Sequence, residues 1–266
     1  MQRTSWQKNV KFLCSNLIVP TYLLLISAAF AAGIINAVAG GGSFLTFPAL
    51  VFTGVPSIIA NASSTFALIP GTLASAWAYR KDFKQTDDFP FRPLLVVSLI
   101  GGFVGALLLL FTPQRTFDSI VPWLMLAATL LFGFGPQISP WLKSVVQIGP
   151  VTVVAVQFLI GIYGGYFGGA IGIIMLATWS VFGMKNIHVM NANRTLLGSA
   201  MNIVAVVLFV IARKIWWPQT LAMLVAAVIG GYVGARAARG VNPRYIRIVI
   251  SAINVVITFA FFLRRR

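Results

Sequence analysis

Long uncharged runs dominate this chain and restrict its fold. Between consecutive charged residues lie stretches at 12–79, 93–114, 119–142, 144–184, 195–212, 215–235 and 248–263, and about 20 apolar residues are enough to cross a bilayer as a helix. Charged residues make up 9% of the chain and hydrophobic ones 59%, where a soluble domain carries about a quarter charged. These runs predict an all-α integral membrane protein.

The charges that remain are lopsided, with 20 Lys and Arg against four acids, Asp82, Asp87, Asp88 and Asp118. A net charge of +16 in a soluble protein would suggest nucleic acid. Here the basic residues fall at helix ends and in short loops, where lipid headgroups and the positive-inside bias account for them, so no nucleic-acid partner is expected and membrane lipid is. Proton relays place Asp or Glu inside the membrane, and this chain has no acid outside 82–118. Cys14 and His188 are the single cysteine and histidine. That excludes an internal disulfide and argues against a Cys or His metal cluster, so no metal and no cofactor is expected.

An internal recurrence carries the most information. Gly33-Ile34 through Gly40-Gly41 align with Gly161-Ile162 through Gly168-Gly169 at an offset of 128. Ala60-Asn61-Ala62 through Thr65 align with Met190-Asn191-Ala192 through Thr195 at 130, and Gly101–Ala106 with Gly230–Ala235 at 129. Three matches in one order at nearly one spacing predict two pseudosymmetric repeats, each with a Gly-rich break, an Asn-containing helix start and a small-residue helix. The Arg3, Lys8, Lys11 and 17–32 segment could be read as a signal peptide. Its apolar run continues without a polar break into the first repeat, so it is expected to remain as a span.

Glycine breaks free backbone groups that hydrocarbon cannot satisfy, and they survive where protein or a watery cavity surrounds them. Paired breaks in two halves point to a transport site. Residues 18–53 as one helix would run about 54 Å against a hydrocarbon core of about 30 Å, and 151–183 raises the same problem, so broken or re-entrant helices are expected there. Counting each as one unit gives about eight transmembrane helices, at 18–53, 58–79, 93–111, 119–135, 151–183, 190–212, 218–236 and 244–262. Eight alternating crossings make the halves parallel; ten would make them inverted. The eight-span count gives a cytoplasmic segment 1–17, repeat 1 at 18–135, a linker at 136–150, repeat 2 at 151–262 and a basic end at 263–266. Under it the basic residues favour both termini inside, with Arg115 outside.

The run Gly33-Ile34-Ile35-Asn36-Ala37-Val38-Ala39-Gly40-Gly41-Gly42-Ser43-Phe44-Leu45-Thr46-Phe47-Pro48-Ala49-Leu50 resembles the signature of the TauE/SafE family of membrane transporters, sulfite exporters and their relatives. Gly54-Val55-Pro56-Ser57 and Ala60-Asn61-Ala62-Ser63-Ser64 are similar to the turn and helix start that follow it, and Gly161–Gly172 and Ile187–Ala192 to its second half. The resemblance spans about 20–260. Ala170 and Arg194 depart from it, where many relatives have Gly or Pro and often Lys. It implies a secondary transporter that exports a small anion, or facilitates its movement, across the cytoplasmic membrane: sulfite, an organosulfonate or similar. It implies no enzyme activity.

The residues agree on sign. A site without buried acids, between broken helices that aim N-terminal amides at a ligand, suits an anion, and Arg194 offers a planar fork for an oxyanion. The candidate substrate-binding residues are Asn36, Gly40, Gly41, Gly42, Ser43, Asn61, Thr65, Gly168, Gly169, Asn191, Asn193 and Arg194; Asn202 is a further polar position in apolar surroundings. Each also has a plainer explanation. Arg194 could snorkel to the interface, Asn61, Asn191 and Asn193 could cap helices, and His188 could be a loop residue. Gly101 with Gly105 and Gly230 with Gly234 are read as close-packing pairs. A passive small-anion channel would use the same features. An intramembrane enzyme would need a nucleophile beside a base, which the hydroxyls here lack. A homo-oligomer is compatible with the sequence.

Overall fold

The computed structural model describes residues 5–38, 41–78, 91–145, 149–169, 171–184, 186–237 and 243–264. Among these it is all helix, with no strand. The helices are α1 (Ser5–Val38), α2 (Ser43–Phe52), α3 (Ser57–Ala78), α4 (Phe91–Phe111), α5 (Gln114–Val145), α6 (Pro150–Tyr166), α7 (Ile171–Phe182), α8 (Ile187–Ile211), α9 (Trp217–Ala237) and α10 (Pro243–Arg264). Five hold stretches long and apolar enough to cross a membrane: Val19–Asn36, Ser57–Ala74, Phe91–Phe111, Val189–Ile211 and Trp217–Gly234. The two expected long units are each divided in two, 18–53 into α1 and α2 and 151–183 into α6 and α7. Helix α5 runs to Val145, into the segment expected to link the halves.

Glycine decides how the long helices pair. On α4, a Cβ at Gly101 would lie 2.7 Å from the Phe158 carbonyl oxygen and 2.9 Å from Gly161 Cα, while Gly105 meets Ile162 and Tyr166. On α9, Gly230 meets Phe30 and a Cβ at Gly234 would lie 2.6 Å from Ile34 Cα. Backbones this close leave no room for side chains, which is what small residues four apart provide in a membrane. In both contacts the residue numbers rise together, so α4 runs parallel to α6 and α1 parallel to α9. Helices α5 and α10 run antiparallel: Trp123 packs edge-on against Phe262 and Thr129 Oγ1 lies 3.5 Å from Thr258 Oγ1.

These directions differ from those that eight alternating spans would give. The links 112–113 and 238–242 reach at most about 18 Å at ~3.6 Å per residue, too short to cross a bilayer, so α5 reverses α4 and α10 reverses α9. Since α5 also opposes α10, α4 opposes α9, and hence α6 opposes α1. The physical reason is the length of the broken segment. The ten residues of α2 extend only about 15 Å, so α1 and α2 form a hairpin that leaves and returns to one face. That face gathers the end of α2, the start of α3, the link between α4 and α5, and the link between α8 and α9, whose Trp216 amide donates to Ser63 Oγ at 2.9 Å. Arg115 therefore shares the face on which α1 begins and α10 ends, not the opposite one.

The short helices are enclosed by protein. Phe44, Phe47 and Leu50 of α2 and Met175 and Trp179 of α7 are fully buried, so these interrupted segments are shielded from hydrocarbon, as unsatisfied backbone requires.

Candidate functional site

The two glycine breaks meet at one cavity. It has a volume of about 110 Å³, several times the minimum for one water. Asn36 at the end of α1, Gly41, and Ser43 at the start of α2 line it from the first break; Phe167, Gly168 and the first turn of α7 line it from the second. Helix α3 adds Thr65, Leu68 and Thr72, and α8 adds Arg194, Thr195, Gly198, Ser199 and Asn202.

Local geometry explains the breaks. Gly41 has φ +97° and Gly168 φ +78°, left-handed values that cost an L residue about 1–2 kcal/mol. Around the first break, the Gly42 amide donates to Asn36 Oδ1 at 3.1 Å. With its oxygen committed there, the Asn36 amide nitrogen is the donor left for the cavity. Around the second, Asn61 Nδ2 donates to the Tyr166 carbonyl at 3.1 Å, occupying an acceptor at the end of α6.

The cavity's electrostatics favour an anion. The N-termini of α2 and α7 both open on it, and helix N-termini carry partial positive charge. Arg194 is the one cation among the described lining residues, and no carboxylate is among them. It stands seven residues after the start of α8, about 10 Å along the helix, and is half-buried. Ser43, Thr65, Thr72, Thr195 and Asn202 add polar side chains, of which the Thr65, Thr72 and Thr195 hydroxyls donate to the carbonyls of Asn61, Ile69 and Asn191, while Leu68, Phe167, Ile171 and Ile173 form apolar wall. Fully buried Ser199 has a hydroxyl with no partner among the described residues.

Of the residues singled out from the sequence, Asn36, Gly41, Ser43, Thr65, Gly168, Arg194 and Asn202 come together in this lining. Gly42, Asn61, Gly169, Asn191 and Asn193 do not line it. Gly42 and Asn61 hold the breaks, a Cβ on Gly169 would lie 2.8 Å from the Phe167 ring, and the Asn191 carbonyl accepts from Thr195 Oγ1 at 3.0 Å. Gly40 and the side chain of His188 lie outside the described residues. None of the three asparagines is a helix cap: α3 and α8 begin earlier than expected, and Asn186 caps α8, its Oδ1 accepting from the Val189 amide at 3.3 Å. Sequence reasoning passed over Leu68, Thr72, Gly172, Thr195 and Gly198. The helical spacing from Thr65 to Leu68 and Thr72, and from Arg194 to Gly198, could have found three of them.

A second cavity of about 380 Å³ opens on the face that carries the α4–α5 link, lined among others by Ser57, Gln114, Arg115, Asp118 and Phe261. Ser57 donates to Asp118, and Gln114 Nε2 donates to Ser57 Oγ at 2.7 Å and to Asp118 Oδ1 at 3.0 Å. Three rings stand between the cavities. Phe167 of the central lining meets Phe47 edge-on at 5.7 Å, and Phe47 stacks on Phe261 at 5.8 Å.

Residues 25–261 match the protein family described as Sulfite exporter TauE/SafE. A "Probable membrane transporter protein" of Haemophilus influenzae is 27% identical over 237 residues, covering 88% of this chain and 92% of that one. The "Probable membrane transporter protein YfcA" of Escherichia coli (strain K12) is 26% identical over 236 residues, covering 88% and 87%. The Sinorhizobium "Probable membrane transporter protein ORF9" is 25% identical over 238 residues, covering 88% and 89%. No solved structure matches the chain.

Proposed function

Because the chain belongs to the sulfite exporter TauE/SafE family, we propose that this multi-pass membrane protein is a secondary transporter that moves a small anion, sulfite or an organosulfonate, across the cytoplasmic membrane. The observation that carries this reading is Arg194 in one cavity with both glycine breaks and the N-termini of α2 and α7. The anion is held by the guanidinium, the Asn36 amide and the hydroxyls of Ser43 and Ser199, all of which line the cavity. The single cation among the described lining residues favours a monoanion, since a second negative charge would enter the site uncompensated.

Movement follows from two halves of opposite sense. The opposed directions of α1 and α6, the exchange of partners in α1 with α9 and α6 with α4, and the sequence recurrence all support inverted pseudosymmetric repeats, the construction that lets one unit rock against another around a central site. The α1–α2 hairpin would then open the site to one face and the α6–α7 hairpin to the other.

Uptake of methanesulfonate and of sulfite at mildly acidic pH, where it is the monoanion hydrogensulfite, into proteoliposomes tests the reading, with a divalent sulfonate and a cation of similar size as comparisons. Saturable uptake of the monoanions, reduced by Arg194→Gln, is expected. Uptake that rises without saturation indicates a passive channel, and no anion uptake overturns the assignment.

A further inference from the structure

Gly172 is the second residue of α7, and a side chain there would meet something unlike what the packing glycines meet. A Cβ on Gly172 would lie 2.9 Å from Arg194 Cδ, 3.2 Å from its Nη1 and 3.4 Å from its Cγ. At Gly101 and Gly234 the nearest atoms are backbone of a neighbouring helix; at Gly172 all three belong to one flexible side chain. Gly172 and Arg194 both line the central cavity. Backbone conformation does not demand glycine here, because Gly172 is not among the residues with positive φ, and alanine favours a helix over glycine. The local helix rule is broken where the stem of the lining cation crosses.

We propose that Gly172 is a positioning residue for anion binding: the missing side chain leaves a groove across the first turn of α7, and the Arg194 stem lies in it. The groove fixes where the guanidinium is presented, beside the N-terminus of α7, so cation and helix dipole act on the same ligand atoms. The inference rests on the reading of Arg194 as the anion's partner. A methyl group at residue 172 displaces the stem of one flexible side chain, nearest at Cδ, and none of its three nearest atoms is backbone, so its effect falls on binding and not on folding.

Sulfite uptake measured against concentration tests this in wild type, Gly172→Ala, Arg194→Gln and the double variant, with thermal unfolding of each purified protein alongside. Gly172→Ala is expected to raise KM by about 10-fold, the loss of one well-aimed charge-assisted contact, with an unfolding temperature at or above wild type. In the Arg194→Gln background the same change leaves KM within about twofold, since no guanidinium remains to misplace. An unchanged KM in Gly172→Ala, or an equal increase in both backgrounds, overturns the proposal. Should Gly172→Ala lower the folded yield, adding Arg194→Ala restores it by removing the stem, and failure to restore it also overturns the proposal. An Arg194→Gln variant with wild-type uptake is a different outcome: it contradicts the anion site itself.

Discussion

Arg194 lies two turns into α8 and shares its cavity with hydroxyls and two helix N-termini, and charge-assisted hydrogen bonds of this type contribute about 1.5–3 kcal/mol each. Replacing it by Gln should therefore weaken anion affinity by about 10- to 100-fold, with Lys recovering part of that because it keeps the charge and loses the fork; a titration series of the two variants checks the order. The glycines of the breaks act through the backbone. Gly41 at φ +97° tolerates no branched or bulky residue, and Gly41→Leu should lower both transport and folded yield, the strain alone costing about 1–2 kcal/mol. Asn61 supports the second break from a distance: Asn61→Leu leaves the Tyr166 carbonyl without this donor, a loss of about 1–3 kcal/mol when the group stays buried, read as a lower unfolding temperature. At this scale the sequence identified the polar positions but not their roles. Asn36 and Asn61 stand out in apolar surroundings, yet only the fold shows that the first supports Gly42 and the second holds the end of α6.

The pairing glycines and the aromatic rings set how the helices pack. A Cβ on Gly105 or Gly230 would run into the backbone of the adjoining helix, so Gly105→Leu and Gly230→Leu should each destabilise by at least the ~1–3 kcal/mol of an overpacked core, seen as lost monodispersity in detergent. The rings of Phe167, Phe47 and Phe261 separate the central cavity from the larger one near Asp118. Phe47→Ala should therefore speed thiol labelling of a cysteine placed at Ser199 by a reagent added on that face, in a background lacking Cys14; an unchanged rate would mean the rings are not the barrier. The glycine spacing and the break positions were legible in the sequence because each requires a residue type that little else explains. The ring series was not, because its three members come from distant segments and each reads locally as ordinary core.

For the whole molecule, the recurrence at offsets of 128–130 points to two halves, but sequence alone could not orient them. Orientation depends on whether a ten-residue segment crosses the bilayer or turns back within it, and hydropathy is the same either way. The close approaches of Gly101 to Gly161 and of Gly234 to Ile34 give the helix directions, which support the proposed inverted relation. Cysteines placed at Arg115 and at Arg213 should then react from the same side of sealed vesicles, whereas eight alternating crossings would put them on opposite sides. The proposed function requires that one small anion binds between the breaks, held by Arg194. Calorimetric titration of the purified protein with sulfite tests it most directly: one anion per chain in wild type with affinity reduced about 10-fold or more in Arg194→Gln is the predicted result, and equal binding by both proteins would contradict it.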